Sequence, residues 1–244
     1  MGRTIAIWGS PESGKTTFTV KLARAIYELA DASIICIHTN DQTPDLPVLF
    51  PHCKREELPS VGELLSKTEI TTNEVLSHLV SPGKMKYLGF LGYTDGDNRF
   101  SYPEFMPEKA KALMDTAATI ADVVIVDCSH SLSWPLNQAA IQNADGIIRL
   151  CSPTLKSVSF FASQLPLYDS LLTKPEACIT GLVENWPFAP MKDAVHHFQD
   201  AGFVVPFCET LRQQMTNGDI LSPVQDKKWN GVMNAVARMA VTGN

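Results

Sequence analysis

The first residues that suggest chemistry are eight near the start of the chain, Gly9-Ser10-Pro11-Glu12-Ser13-Gly14-Lys15-Thr16. They fit the phosphate-loop pattern G-x-x-x-x-G-K-[ST] at every fixed position. In such a loop the glycines permit a tight turn, successive backbone amides point at phosphate oxygens, and the following helix adds positive potential. We predict that Lys15 contacts the β- and γ-phosphates of a nucleoside triphosphate, that Thr16 places its hydroxyl on Mg²⁺, and that Thr17 contacts the α-phosphate region.

A carboxylate ends an apolar run in the middle of the chain. Four residues, Val-Val-Ile-Val, precede Asp127. At the carboxyl end of a central strand, this side chain would face the metal beside the phosphate loop. Because Mg²⁺ prefers carboxylate oxygens, often through water, we predict that Asp127 belongs to the metal site together with Thr16.

The polar loop after the second predicted strand reads His-Thr-Asn-Asp-Gln and ends at Gln42. A carboxylate here would orient the attacking water or hold Mg²⁺ through its hydration shell. We take Asp41 as the candidate catalytic residue beside Lys15, with Asn40 or Asp45 as alternatives for the same role. Ordinary turn chemistry accounts for these residue types equally well.

Two later loops are candidates for the base site. Asn185 follows a predicted strand at residues 179–183, and Pro206 and Phe207 follow one at 203–205. Loops at the carboxyl ends of parallel strands are where a nucleotide base lies in such a sheet. An Asn amide both donates and accepts, which suits the edge of a purine. A turn Asn and a strand-ending Pro explain the same residues without a ligand.

The alternation of short β-branched runs with longer helical stretches predicts an α/β fold. We expect a mostly parallel central sheet with helices on both faces, as in single-domain P-loop NTPases. The predicted strands are residues 4–8, 33–38, 85–91, 123–127, 146–150, 177–183 and 203–205. The predicted helices are residues 15–30, 60–65, 72–79, 107–120, 133–143, 157–172, 191–201 and 227–240.

Composition limits the classes of partner and compartment. The chain has 244 residues, of which 45% are hydrophobic, and a net charge of −6. An acidic chain does not favour non-specific DNA binding, although a local basic patch stays open. Six cysteines without a CxxC pair argue against a metal–thiolate site and for a reducing cytoplasm. We expect no signal peptide and no transmembrane segment.

Four stretches together resemble the ParA/MinD family of dimeric P-loop ATPases: residues 5–17, 123–127, 136–145 and 205–212. They extend over nearly the whole chain, so the resemblance implies one ATPase domain at 1–244. It also implies ATP and Mg²⁺ as cofactors, a nucleotide-dependent homodimer, and hydrolysis that times the positioning or partition of a protein cargo. Asn185 then matches the base-contacting Asn of the family, and residues 206–208 match its base-flanking loop.

One position departs from the family pattern. The phosphate loop of the family reads K-G-G-x-G-K-[ST], and its first lysine reaches the nucleotide of the partner subunit. Here that position is Ser10, followed by Pro11 and Glu12. We therefore expect slow hydrolysis and a resemblance to the TadZ/CpaE branch, which positions pilus or secretion machinery at the cell pole. That branch usually carries a receiver-like domain, which we do not expect here, and plasmid or mobile-element partition stays open.

Two other functions fit the same phosphate loop. A nucleotide-binding scaffold with little hydrolysis is favoured by Ser10 and by the ambiguity between Asn40 and Asp41. A small-molecule kinase or ligase would need an acceptor pocket, which residues 93–99 would supply with Arg99 as the clamp. The terminal amphipathic stretch at 227–240 has few cations, so we predict that it packs on the core and does not bind a membrane.

Overall fold

The computed structural model describes residues 1–187 and 196–242, and one seven-stranded sheet organises them. Its strands are β1 Arg3–Gly9, β2 Ile34–His38, β3 Leu88–Leu91, β4 Val123–Asp127, β5 Gly146–Cys151, β6 Cys178–Val183 and β7 Phe203–Val205. They lie in the order β3-β2-β4-β1-β5-β6-β7. Every pairing between these strands is parallel. The predicted fold class is confirmed, and the sheet is wholly parallel where a mostly parallel one was expected.

Helices occupy both faces of the sheet. They are α1 Lys15–Leu29, α2 Leu46–Leu49, α3 Val61–Ser66, α4 Thr72–His78, α5 Pro107–Ile120, α6 Pro135–Asn143, α7 Leu155–Leu171, α8 Glu209–Asn217 and α9 Lys227–Thr242. Two short 3-10 turns, Arg55–Glu57 and Pro175–Ala177, complete the regular elements of the described residues.

Alternating strand residues divide the core into two layers. In β1, Ile5 and Ile7 face a cluster formed with α1 and α9, whereas Ala6 and Trp8 face a cluster formed with α5, α6 and α7. Successive side chains of a strand point to opposite faces, so a strand buried on both sides reads as a continuous apolar run. This explains why the strands were visible in the sequence.

The predicted elements differ from the structure mainly in the loops and at the ends. Strand β3 begins at Leu88, three residues later than predicted, because Met85 takes part in turns on both sides: its amide donates to Pro82 and its carbonyl accepts from Leu88. Helices α2 and α8 were not predicted from the sequence. Residues 191–195 of the predicted helix at 191–201 lie outside the described part of the chain. In the remainder, His196 is helical and 197–200 form a turn, so the helix does not extend to 201.

The terminal helix α9 packs on the core as predicted. Trp229, Met233 and Val236 are almost completely buried, and they belong to the same cluster as the inward face of α1. Within the described ranges, no helix has both the length and the apolarity that crossing a bilayer requires.

The fold makes a sharp prediction at the last residue of β1. A Cβ atom added to Gly9 would lie 2.0 Å from the backbone oxygen of Leu150. This oxygen belongs to the neighbouring strand and cannot move aside as the end of a side chain could. We expect Gly9→Ala to lower the free energy of unfolding by roughly 2–3 kcal/mol, because the central sheet must shift. Urea unfolding followed by circular dichroism measures this.

Gly83→Ala is the matched control, since nothing lies within 4 Å of the position where its Cβ would stand. Its effect should stay within about 0.5 kcal/mol. If the two variants unfold at the same urea concentration, the close contact between β1 and β5 is not as described.

Candidate functional site

The phosphate loop joins β1 to α1 at the carboxyl end of the central strand. Gly14, the residue before α1, has a φ of 79°, a left-handed conformation that glycine adopts without strain. No side chain caps the first turn of α1. Its backbone amides are therefore left for an anionic ligand, and the dipole of a 15-residue helix reinforces this. The loop has the geometry that a phosphate group requires.

Glu12 also has a positive φ, of 59°. For a residue with a side chain this conformation costs about 1–2 kcal/mol. Asn185 helps to hold it, because its amide nitrogen donates to the Glu12 carbonyl at 2.7 Å. The same nitrogen donates to the Ser152 hydroxyl at 3.0 Å, so the acceptor oxygen of Asn185 stays available to a ligand.

The Lys15 side chain folds back over the loop. Its ammonium group donates to the carbonyl oxygens of Ser10, at 2.9 Å, and of Gly9, at 3.3 Å. Burial lowers the pKa of Lys15, whereas the nearby Asp127, Cys128 and Asp45 act in the opposite direction. Phosphate oxygens are stronger acceptors than these carbonyls, so an entering anion would attract the ammonium group away from them.

Thr16 and Asp127 meet directly, as the phosphate-loop hypothesis requires. The Thr16 hydroxyl donates to a carboxylate oxygen of Asp127 at 2.6 Å and lies 3.4 Å from one of Asp45. Hydroxyl and carboxylate oxygens are the hard ligands that Mg²⁺ takes, often through water molecules. These three side chains therefore fit a magnesium ion beside the phosphates.

His38 is a partner of this cluster that the sequence analysis did not single out. Its Nδ1 lies 3.0 Å from Asp127 and 3.4 Å from Asp45. One ligand atom from each of the three side chains lies within 4.8 Å of the others. Burial disfavours a charged imidazole, but hydrogen bonds and charges from both carboxylates outweigh this and raise the pKa of His38 to about 9. At neutral pH the ring is therefore a cation that offsets two buried carboxylates.

The position of His38 follows from strand register. It ends β2 directly beside Asp127 at the end of β4, because the two strands pair in parallel. Burial raises the pKa of Asp45, and the hydrogen bond and charge of His38 act in the opposite direction. The sequence alone does not show which strands are adjacent. It is the pairing of β2 with β4 that makes His38 and Asp127 neighbours.

The three residues considered for the catalytic role lie in different parts of the structure. Asn40 and Asp45 line the phosphate cavity, about 380 Å³ in volume, with Lys15, Thr16 and Asp127. Asp41 does not line it; it borders a neighbouring cavity with Tyr93 and Arg99. Asp45 is 8% exposed and lies beside Thr16, so the geometry favours Asp45 over Asp41. Asn40 instead stabilises its own turn, where its side-chain oxygen accepts from the amides of Gln42 and Thr43 at 3.1 Å.

A second cavity, of about 210 Å³, continues from the phosphate loop toward β6 and β7. It shares Gly14 and Thr17 with the phosphate cavity. Its lining includes Asn185, Pro206 and Phe207, the three residues predicted from the sequence, together with the apolar Phe18, Val183, Val205 and Trp229. The phosphate cavity is lined by charged and hydroxyl side chains, and the adjoining second cavity is lined mainly by apolar ones.

Ser10, which stands where the resembling family has its extra lysine, points into the protein. It is completely buried, and its hydroxyl lies 2.9 Å from that of Ser157 in α7. Lys156, in the first turn of α7, places its ammonium group 3.4 Å from the Glu12 carboxylate. The side chain at position 10 therefore anchors the loop to α7 and does not extend outward.

Comparison with known proteins identifies the fold. No protein-family model matches the sequence, and no curated protein matches it. A ParA family ATPase from Chlorobium tepidum matches at 14% identity with a TM-score of 0.76, over 100% of this chain and 99% of its own. The septum site-determining protein MinD from Pyrococcus horikoshii, complexed with Mg-ADP, matches at 15% identity and a TM-score of 0.74, over 99% and 97%.

A putative plasmid partition protein from Borrelia burgdorferi, bound to AMPPNP, matches at 14% identity with a TM-score of 0.72 over the full length of both chains. Sequence identities this low establish a shared fold. The chain therefore has the single-domain P-loop fold of ParA and MinD ATPases, over its whole length.

Proposed function

We propose that this protein belongs to the ParA/MinD family and is an ATP-binding dimerisation switch that hydrolyses ATP slowly. The observation that carries the proposal is the uncapped start of α1, whose first residue is Lys15, with the Thr16–Asp127 hydrogen bond of 2.6 Å beside it. Two proteins with the same fold were solved with Mg-ADP and with AMPPNP. These support a triphosphate with Mg²⁺ as the ligand.

Each part of the site has a task in this proposal. The amides of the loop and the Lys15 ammonium bind the β- and γ-phosphates, and Thr17 borders the α-phosphate. Thr16 and Asp127 hold Mg²⁺, which supplies positive charge to the phosphate oxygens when it is bound. Asn185, Pro206 and Phe207 contact the base, where the free oxygen of Asn185 accepts from the amino group of adenine.

Slow hydrolysis follows from what surrounds the γ-phosphate. Position 10 provides a buried serine in place of a cation, and position 40 provides a neutral amide. Positive charge at the transferring phosphoryl group is a large part of catalysis in P-loop enzymes, so its absence lowers the rate. We assign the water-positioning role to Asp45, because it lies beside Thr16 and lines the phosphate cavity.

The output that we propose is the positioning of a partner. ATP would close a homodimer, and hydrolysis would reopen it. A protein cargo would distinguish the closed state from the open one. We propose a cytoplasmic protein, recruited by its partner to the cell pole or to the inner membrane surface. The buried Ser10 is consistent with the TadZ/CpaE-like branch, and plasmid or mobile-element partition is the alternative cargo class.

The nucleotide-binding scaffold remains the alternative that a specific observation favours, since Ser10 and Asn40 remove charged groups from the reaction centre. A kinase or ligase has less support. Its proposed clamp, Arg99, lies 3.9 Å from Glu104 at the edge of the neighbouring cavity, and its side chain is 69% exposed.

The switch is tested by measuring molar mass in three nucleotide states. By size-exclusion chromatography with light scattering, we expect a 26.8 kDa monomer without nucleotide and with ADP, and about twice that mass with a non-hydrolysable ATP analogue and Mg²⁺. Lys15→Ala should stay monomeric in all three states, because it lacks the cation that holds the γ-phosphate. A wild-type monomer in every state contradicts the switch.

Turnover of ATP tests the choice between the two carboxylates. We expect Asp45→Asn to lower the rate of phosphate release at least about tenfold, since it removes the group that positions water. Asp41→Asn should change the rate less than about twofold, because Asp41 borders another cavity. The reverse pattern would return the catalytic role to Asp41, and no measurable turnover by the wild type would favour the scaffold.

A further inference from the structure

A third cavity lies beside the phosphate cavity and has no task in the proposed switch. Its volume is about 380 Å³, within the range of small-molecule sites. Three segments enclose it: the loop after β2, the segment after β3, and the loop after β4. Gln42 lines both this cavity and the phosphate cavity, so the two spaces are neighbours.

Aromatic rings form much of its wall. Tyr93, Tyr102, Phe105 and Trp134 all line it. The ring centroids of Trp134 and Phe105 are 5.5 Å apart, and those of Trp134 and Tyr93 are 6.5 Å apart. The faces of aromatic rings carry partial negative charge, and a set of such rings around one space attracts an organic cation.

Two polar groups in this wall have no partner. The Trp134 indole nitrogen is buried without a hydrogen bond. Within residues 1–187 and 196–242 the Tyr93 phenol also has no hydrogen-bond partner, and its oxygen keeps accessible surface. The phenol can therefore bond to a ligand or to ordered water in the cavity, whereas the indole nitrogen lies behind the cavity surface.

The charged side chains that line the cavity are Asp41, Glu104 and Arg99, which together carry one net negative charge. Arg99 lies 3.9 Å from Glu104. Burial raises the pKa of Asp41, and the charge of Arg99 acts in the opposite direction. Asp41 is partly buried, and no basic side chain of the described ranges comes within ion-pair distance of it. The hydrogen-bond donor to its carboxylate is its own backbone amide. The Asp41 carboxylate borders the same cavity as the aromatic rings, and the net negative charge there favours a cationic occupant.

We propose that this cavity binds a small organic cation, with a protonated amine that pairs with Asp41 and an apolar or aromatic body that packs among Tyr93, Tyr102, Phe105 and Trp134. The Tyr93 phenol provides a further hydrogen bond to a polar atom of the ligand. An occupant would contact the loops after β2 and β4, which also border the phosphate cavity. The proposal concerns a site separate from that of the nucleotide.

Calorimetry on the full chain without nucleotide tests the proposal with a matched pair of probes. Phenethylammonium and 2-phenylethanol have nearly the same shape, and only the first is charged. We expect saturable binding of the ammonium compound and binding of the alcohol at least about tenfold weaker, because the alcohol gains neither the ion pair nor the cation–π contact. Equal affinity for both probes, or no saturable heat for the cation, would overturn the proposal.

Two variants assign the binding to this cavity. Asp41→Asn should weaken the ammonium compound at least about tenfold and leave the alcohol unchanged, whereas Trp134→Leu should weaken both. Asp169→Asn, the same change at an exposed carboxylate of α7, is the control and should have no effect. Circular dichroism shows whether each variant is folded. If Trp134→Leu does not fold, the comparison of Asp41→Asn with Asp169→Asn still decides whether the cation binds in this cavity. If Asp41→Asn binds like the wild type, the cation lies elsewhere and the proposal is wrong.

Because these titrations contain no nucleotide, their failure is distinguishable from failure of the switch. A protein that does not bind the amine can still dimerise with an ATP analogue. A protein that binds the amine can still remain monomeric with that analogue.

Discussion

The structure depends on one tight turn between the central strand β1 and the helix α1. β1 pairs with β4 on one side and β5 on the other, so its direction is fixed. At Gly9 the chain passes so close to the Leu150 carbonyl that no side chain fits. It must then reverse into α1 through Gly14, whose left-handed conformation leaves the first amides of the helix uncapped. Backbone geometry alone thus leaves amides free at the place where we propose that phosphate binds.

Electrostatic balance around this turn is the second requirement. Asp127 and Asp45 lie close together, and both are almost completely buried. Two such carboxylates would repel each other, but His38 lies between them, and its pKa is raised to about 9. Lys15 is held on the loop carbonyls nearby. The protein therefore keeps the proposed metal ligands assembled with its own cations.

Much of the fold and part of the site could be predicted from the sequence, for physical reasons. The strands are buried on both faces, so β4 and β7 were predicted with their bounds as the structure has them. The phosphate loop was visible because its chemistry requires fixed residue types at fixed spacing. Helix α8 was not, because only Leu211 and Met215 are apolar in its turns and a polar helix has no periodic apolar signal. The places of His38, Asp41 and Asp45 depend on strand order and loop path, which local sequence does not encode.

The central claim is that the turn before α1 binds a triphosphate through backbone amides and the Lys15 ammonium group. Titration calorimetry of the intact protein with MgATP and with MgGTP tests it most directly. The account predicts saturable binding of MgATP at one site per chain, and binding at least about a hundredfold weaker in Lys15→Ala. If neither nucleotide binds, or if the lysine variant binds as tightly as the wild type, the account is contradicted.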